Sequence, residues 1–542
     1  MTRRSSLLLG SAFFILSVRT FCAEAPSVVL LNGKIFTSVA AHPYAHAIAI
    51  RGERIIAVGE TAPIEALAGS GTQKIDLGGR TVIPGINDAH QHMSLQPPTD
   101  VELATGPASS WEQVRAAIVE ALPGVGPEQT IVAGIGPAVF HDSRARRVTL
   151  DKIAADRAVI LFTVSGHGAI LNSTAMRLLR IADDARDPMG GWFEHSADGR
   201  LNGVAHEYAM WLIWRARTEL VGHDESLRQI RELLAANARL GVTTVQDMSN
   251  EFLPDHIVGL LKAAPTPIRV RVIRMPATTP AGRDTAEGLT LTTNPSPLIT
   301  VSGVKWLLDG TPIEIQQVGA LQAGEPPTWA KKLAFTPAEM EAMLRESLKS
   351  GDQLLLHIFG PVAARNMLDA MQKTGGARVW STKRVRFEHG DGLTPLMIDQ
   401  AKALGVVVVQ SPTHLVVGQF LDSDQVGPQP LRSLIAAGIP VALSSDGEIN
   451  PFLGIMLAST HPDHPAEAIT REQAVIAYTR TSAYAEFNER NLGTLEVGKL
   501  ADLSVLTQDI FSVPADDLPK TESVLTFVGG KLEYDAHALV VL

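Results

Sequence analysis

The stretch Thr81-Val-Ile-Pro-Gly-Ile-Asn-Asp-Ala-His-Gln-His-Met93 begins as an apolar run, breaks at Pro84-Gly85 and then presents two histidines. His90 and His92 are two residues apart, so an extended backbone places both imidazoles on one side of a strand. Such a pair can bind one metal ion, although ordinary polar surface at a strand end shows the same pattern. A metal site therefore requires further ligands from elsewhere in the chain.

Downstream of this stretch, short β-branched runs alternate with helical patterns, which is typical of parallel βα units. Eight runs are predicted as strands: 82–86, 243–247, 269–273, 303–308, 353–356, 385–387, 406–409 and 441–444. Eight such units predict an α/β fold of the (β/α)8 TIM-like barrel type. In this type of barrel the chemistry lies at the C-terminal ends of the strands.

The sequence around the barrel predicts two further parts. Both chain ends contain short β-rich runs with Asn-Gly, Arg-Gly and Gly-Gly turns, and neither end has enough strands to bury a face alone. We therefore predict that residues 26–83 and 487–542 form one composite β-sandwich, with the barrel spanning 84–486. The segment 94–240, between the first two barrel strands, is far longer than an ordinary loop, so we predict an insertion with its own elements that could roof the active site.

The N-terminus has the order of a secretory signal peptide. Arg3-Arg4 precedes the apolar run 7–18, and Ala23-Glu24-Ala25 matches a small-residue cleavage site. Residues 1–25 are therefore predicted to be removed, giving a secreted or periplasmic protein without a membrane segment; an uncleaved anchor is the alternative. Cys22 is the only cysteine and would leave with the signal, so any metal must be held by His, carboxylate or a rarer kind of ligand.

Amino-acid composition limits the kinds of molecule that the protein could bind. The chain has 542 residues, is 45% hydrophobic, and carries a formal net charge of -10 without a long Lys/Arg run. This charge argues against a nucleic-acid partner and favours a small-molecule substrate. A homodimer would be compatible with such a barrel.

Polar residues at the predicted strand ends supply the further ligands. Each has an ordinary alternative, such as a rim histidine or a helix N-cap, but barrel geometry points all of them at one mouth. These residues are His90, His92, Lys305, His357, His389 and Asp446, and the four histidines with Asp446 form a candidate metal site. Glu388 is expected to point away from His389 on the same strand and so to lie outside the barrel or behind the ligands.

These motifs resemble the metal-dependent amidohydrolase superfamily. The resemblance includes Pro84 to His92, the strand-end residues above, and the closing segment 493–503. Ser165-Gly166-His167 and Gln410-Ser-Pro-Thr-His414 resemble the amidohydrolase family 3 branch, which includes N-substituted formamide deformylases. The resemblance implies hydrolysis of an amide, N-acyl or N-formyl C–N bond.

The resemblance also implies roles for the residues. His90 and His92 would bind one metal close to Asp446, His357 and His389 would bind a second, and Lys305 would bridge both as a carbamate. An unmodified Lys305 beside a single metal is the alternative. The His and carboxylate ligands fit zinc, with manganese or iron as alternatives.

Asp446 would act as general base, while His167 and His414 could bind the substrate or could be structural loop residues. The sequence departs from the branch pattern after His357 and after Asp446, in loops that contact substrate, so the family's typical substrates do not transfer directly. Two other functions remain open: a lactonase or cyclic-amide hydrolase, and a periplasmic binding or regulatory protein on an inactive scaffold.

Overall fold

The structure is a computed structural model that describes residues 24–310, 333–417 and 429–539. Most of the predicted signal peptide, including Cys22, lies outside the described residues. Within the described ranges, no helix has the length and apolar character needed to cross a membrane.

Eight parallel strands form the central sheet and confirm the predicted α/β barrel. In chain order they are β1 (Ile86–Gln91), β2 (Val242–Ser249), β3 (Arg269–Arg274), β4 (Ile299–Leu307), β5 (Leu354–Ile358), β6 (Arg386–His389), β7 (Val407–Gln410) and β8 (Val441–Leu443). Residues beyond β8 close the barrel against β1: the Asp446 N–H donates to the His90 carbonyl over 3.0 Å, and the Ser445 N–H donates to Asp88 Oδ1 over 3.0 Å.

The predicted first strand, 82–86, is wrong in its placement because the chain breaks within it. Thr81–Pro84 pairs with Lys34–Phe36 and Leu503–Leu506 in an end sheet, and β1 begins only at Ile86. Gly85 lies at the break because a Cβ there would approach Thr243 Oγ1 to 2.2 Å. Tight backbone contact, which hydrophobic periodicity does not report, therefore divides one apolar run between two sheets.

Helices cover the outside of the barrel. Pro254, Pro337, Pro361, Pro395 and Pro451 each begin a helix that follows a barrel strand, where the fixed φ of proline suits the first turn and its missing N–H costs nothing. Across the barrel, the insertion and the chain ends, the α-helices within the described residues are Thr61–Glu65, Trp111–Ala121, Pro137–Phe140, Arg147–Ile153, Ser173–Leu178, Tyr208–Thr218, His223–Arg239, Pro254–Ala263, Pro337–Ser350, Pro361–Lys373, Gly376–Trp380, Pro395–Ala403, His414–Val417, Leu431–Ala437, Pro451–Thr460, Arg471–Ile476 and Ser482–Ala485. Short segments Leu122–Gly124, Pro465–Glu467 and Ala515–Lys520 are 3-10 helices, and Ala477–Thr481 is a π-helical turn.

Both chain ends build two sheets that pack on each other, as predicted. The first contains Arg54–Gly59, Ala47–Arg51, Val28–Leu31 and Gln73–Asp76. The second contains Lys531–Asp535, Ser523–Val528, Leu503–Leu506, Thr81–Pro84, Lys34–Phe36 and Tyr44–Ala45. One buried apolar cluster joins them, with Leu30 and Ile48 from the first sheet beside Leu503 and Phe527 from the second.

The insertion after β1 has its own six-stranded sheet. In spatial order its strands are Gly191–His195, Leu201–Glu207, Gly168–Leu171, Ala158–Thr163, Thr130–Ile135 and Asp100–Leu103. The turn before Gly168–Leu171 carries His167 and places its ring 5.0 Å from that of His357 at the end of β5. The insertion therefore contributes side chains to the barrel mouth.

Candidate metal centre and active site

Asp446 lies between two pairs of histidines at the C-terminal ends of the strands. Its Oδ1 is 3.6 Å from His90 Nε2 and 3.5 Å from His92 Nε2. Its Oδ2 is 3.6 Å from His389 Nε2 and 3.4 Å from His414 Nε2. Within each trio the donor atoms lie within 4.8 Å of one another, which is close enough for one ion to contact all three.

Hydrogen bonds at Nδ1 hold the rings of the first pair, His90 and His92, in place. His90 Nδ1 is 2.7 Å from Glu388 Oε2, and His92 Nδ1 is 2.8 Å from the Met248 carbonyl. Because both partners are acceptors, each Nδ1 carries the proton and each Nε2 keeps its lone pair. The two Nε2 atoms are only 3.3 Å apart beside a carboxylate, an arrangement that a cation would stabilise.

Lys305 lies beside this first pair. Its Nζ is 2.8 Å from His90 Nε2, and the residue is buried. Burial lowers the pKa of Lys305 to about 8, so more of its amine is neutral near neutral pH than in an exposed lysine. A neutral amine has the lone pair that metal binding or reaction with CO2 requires.

The second group includes buried ring nitrogens without protein partners. His357 Nε2 and His389 Nδ1 have no hydrogen-bond partner among the described residues. The His357 and His389 rings are 4.6 Å apart, and His389 is 5.1 Å from His414. Buried polar atoms are normally satisfied, so an orphaned imidazole nitrogen at this mouth fits a missing ligand.

The electrostatics of the cluster favour the forms that bind a metal. Burial holds the pKa values of His90, His357 and His389 well below the ordinary value, so these rings are neutral. Burial alone would raise the pKa of Asp446, but its electrostatic interactions with the surrounding imidazoles and with Lys305 lower it below its usual range. Neutral imidazoles around an ionised carboxylate, with no sulfur, suit zinc or a similar divalent ion.

The structure brings the predicted site residues to one mouth. His90, His92, His389 and Asp446 lie in the two trios, while Lys305 and His357 lie beside them. The structure also adds His414, predicted for substrate, to the second trio. His167 lies next to His357 and pairs through Nδ1 with Glu207 Oε2 at 2.7 Å.

Glu388 takes one of the two positions expected for it, behind the ligands rather than outside the barrel. Strand alternation places it opposite His389, but both side chains reach the interior because His389 ends β6 with a φ of 69°. Glu388 is fully buried, and both of its oxygens accept hydrogen bonds from Arg386. It therefore lies inside the barrel, behind His90.

Several site residues were not singled out by sequence reasoning. Asn250 Oδ1 is 2.9 Å from His92 Nδ1, and Asp309 accepts the backbone N–H groups of Phe359 and Gly360, which follow His357. Burial raises the pKa of Asp309 to about 7. The position of Asp309 after β4 was the only signal in the sequence.

Comparisons with known proteins agree with this geometry. A family model described as the amidohydrolase family matches residues 73–534. N-substituted formamide deformylase from Arthrobacter pascens is 25% identical over 554 residues, covering 94% of this chain and 98% of that protein. Protein LONG AFTER FAR-RED 3 from Arabidopsis thaliana is 27% identical over 535 residues, covering 94% of this chain and 91% of that protein.

Solved structures show the same fold. An uncharacterized metal-dependent hydrolase from Pyrococcus horikoshii has a TM-score of 0.67 at 20% identity and covers 90% of this chain and 99% of its own. An atrazine chlorohydrolase from Arthrobacter aurescens, solved with zinc and atraton, has a TM-score of 0.53 at 17% identity and covers 94% of this chain and 97% of its own.

Proposed function

This chain belongs to the amidohydrolase family and is a hydrolase of carbon–nitrogen bonds; on this premise we propose that it cleaves a small N-acyl or N-formyl amide with the help of two divalent ions. The observation that carries the proposal is Asp446, whose two oxygens each face a separate pair of imidazoles. The deformylase relative, which aligns over nearly its whole length, supports this class of substrate.

In this proposal two sets of residues hold the ions. His90 and His92 would hold the first beside Asp446, and His357 and His389 would hold the second, with His414 close enough to join it. Lys305 would be a further ligand as a carbamate: its neutral amine would form an N–C bond to CO2 and release one proton. Burial of Lys305 supports this step because it disfavours the ammonium form.

Bound divalent ions supply an acidified water and a polarised carbonyl. The chain's own residues then handle the proton and the substrate. Asp446, as the carboxylate, accepts a proton from the attacking water and passes it to the leaving nitrogen. His167 and His414 lie at the mouth and orient the amide by hydrogen bonds. No covalent acyl-enzyme is required.

The test combines a measurement of metal content with the kinetics of one variant. We expect elemental analysis of the purified chain to give about two divalent ions per chain and native mass spectrometry to show a carbamate on Lys305. Asp446→Asn should lower kcat for N-formyl and N-acyl amides by roughly 10²- to 10⁴-fold, because the proton acceptor is lost. The exposed carboxylate of Asp517, which pairs with Lys520, offers the control Asp517→Asn.

Other outcomes would contradict the proposal. A chain that binds amides tightly without turning them over would be a binding protein on this scaffold. Hydrolysis of lactones but not amides would reassign the substrate class. We also propose that the protein is exported, on the basis of residues 1–25; an exported form that retains these residues would contradict cleavage.

A further inference from the structure

We propose that Glu207 is a positioning residue that fixes the ring of His167 for the substrate. The proposal rests on the function proposed above and extends it to a residue outside the metal ligands. Glu207 ends the insertion strand Leu201–Glu207, and His167 precedes the strand Gly168–Leu171, which pairs with it. Two segments of the insertion thus bring the pair to the barrel mouth.

Two hydrogen bonds hold His167 to Glu207. The Glu207 N–H donates to the His167 carbonyl over 2.9 Å, and Glu207 Oε2 is 2.7 Å from His167 Nδ1. The carboxylate accepts the Nδ1 proton, so Nε2 is the unprotonated ring nitrogen. Main chain and side chain therefore fix both the position and the orientation of one ring.

The backbone of Glu207 is strained, which indicates that its contact with His167 is retained at a cost in free energy. Its φ of 51° and ψ of -125° lie in a region that side-chain-bearing residues rarely occupy. The residue is buried, and its Oε1 has no hydrogen-bond partner within the part of the chain that the structure describes. Strained backbones and unsatisfied buried oxygens concentrate at functional sites, where the surrounding structure enforces them.

The surroundings place this pair where an amide would bind. The ring of His167 is 5.0 Å from that of His357, beside the second proposed metal position. Glu207 also lines a cavity together with Gly190, Gly191, Trp192 and Ala334. His167 therefore lies beside His357 and is held by Glu207, which lines the cavity, so a change at Glu207 would move the ring relative to the proposed reaction centre.

The experiment compares Glu207→Met, His167→Asn and the double variant in the metal-loaded full-length protein. Glu207→Met removes the acceptor but keeps a side chain of similar length. We expect kcat to fall about 10- to 100-fold with metal content unchanged, which is the usual cost of losing the partner that orients a functional histidine. The double variant should lose no more than His167→Asn alone.

Glu194→Gln is the matched control. Glu194 pairs with His206 in the same insertion sheet, with Oε1 3.0 Å from Nε2, and neither residue touches the proposed metal ligands. We expect this control to keep wild-type kcat. If the losses in the Glu207 and His167 variants add fully in the double variant, Glu207 does not act through His167 and the proposal is overturned.

A second measurement is independent of turnover. Long-range proton–nitrogen NMR of histidine-labelled protein, with His167 assigned from the His167→Asn variant, should show the proton on Nδ1 in the wild type and a changed signal in Glu207→Met. A proton on Nε2 in the wild type would refute the positioning role. If the wild type hydrolyses no amide, the proposed function fails while this measurement still decides the inference.

Discussion

Individual residues set the chemistry of the mouth through partners that lie behind them. Glu388 contacts His90 on one side and Arg386 on the other, and both members of the Arg386–Glu388 pair are fully buried. These hydrogen bonds from Arg386 through Glu388 fix the orientation of His90, and they keep the Nε2 that faces the site unprotonated. A buried charge pair of this kind is costly to break from one side, because the partner is left uncompensated.

Glu388→Gln should weaken divalent-ion binding about 10- to 100-fold and lower the free energy of unfolding by roughly 3 kcal/mol, because His90 loses an ionised acceptor and Arg386 loses its counter-ion. Chelator competition and urea unfolding measure the two effects. Glu489→Gln, which breaks the Arg384–Glu489 pair away from the site, should leave ion affinity unchanged. Equal ion affinity in Glu388→Gln and wild type would contradict the role of Glu388.

The placing of the candidate ligands at one mouth could be predicted from the sequence, but the residues that support them could not. His90, His92, His357, His389 and Asp446 each follow or end an apolar run, so strand periodicity and barrel geometry suffice to bring them together. The supports depend on pairings between distant segments: Glu388 with His90 and Glu207 with His167. A single sequence does not encode such a pairing in any local pattern.

At the scale of elements, the junction between end sheet and barrel depends on backbone proximity. Periodicity predicts strands over both halves of the run 81–91 and so does not locate the boundary. The boundary follows from Gly85, whose missing side chain lets the backbone approach Thr243 of β2, and from the Gly85 N–H, which donates to the Asp502 carbonyl over 2.9 Å.

Gly85→Ala should lower the free energy of unfolding by about 1–3 kcal/mol, because the new methyl group overlaps the Thr243 side chain. Thermal or urea unfolding measures the change, and adding Thr243→Ala should recover part of the loss. Gly71→Ala is the control, since a Cβ at Gly71 meets no atom within 4 Å. If Gly85→Ala left the free energy of unfolding unchanged, the backbone at the junction would be able to move away from the new methyl group without loss of stability.

At the scale of the whole molecule, the C-terminal segment ties the sandwich to the barrel through ion pairs of unequal burial. Asp502 accepts hydrogen bonds from Arg269 Nε at 2.8 Å and from the Gly529 N–H at 2.6 Å, and its side chain is 4% exposed. Glu522 pairs with Arg239 over 2.6 Å, but both side chains are about half exposed.

Breaking each of these two ion pairs should change the free energy of unfolding by a different amount. Asp502→Asn should lower the free energy of unfolding by roughly 3 kcal/mol, because Arg269 is left buried without its counter-ion. Glu522→Gln should change it by less than about 1 kcal/mol, because water and salt screen the exposed pair. Chemical denaturation of both variants at equal ionic strength checks the contrast, and equal losses would contradict it.

The seam between β1 and β8 couples closure of the barrel to the geometry of the candidate site. The contacts that close the barrel there come from His90 and Asp446 and from the adjacent Asp88 and Ser445. Barrel closure and the candidate metal centre therefore depend on the same two short segments, so a shift of either segment would move both. The insertion sheet has its own core and packs separately from this seam.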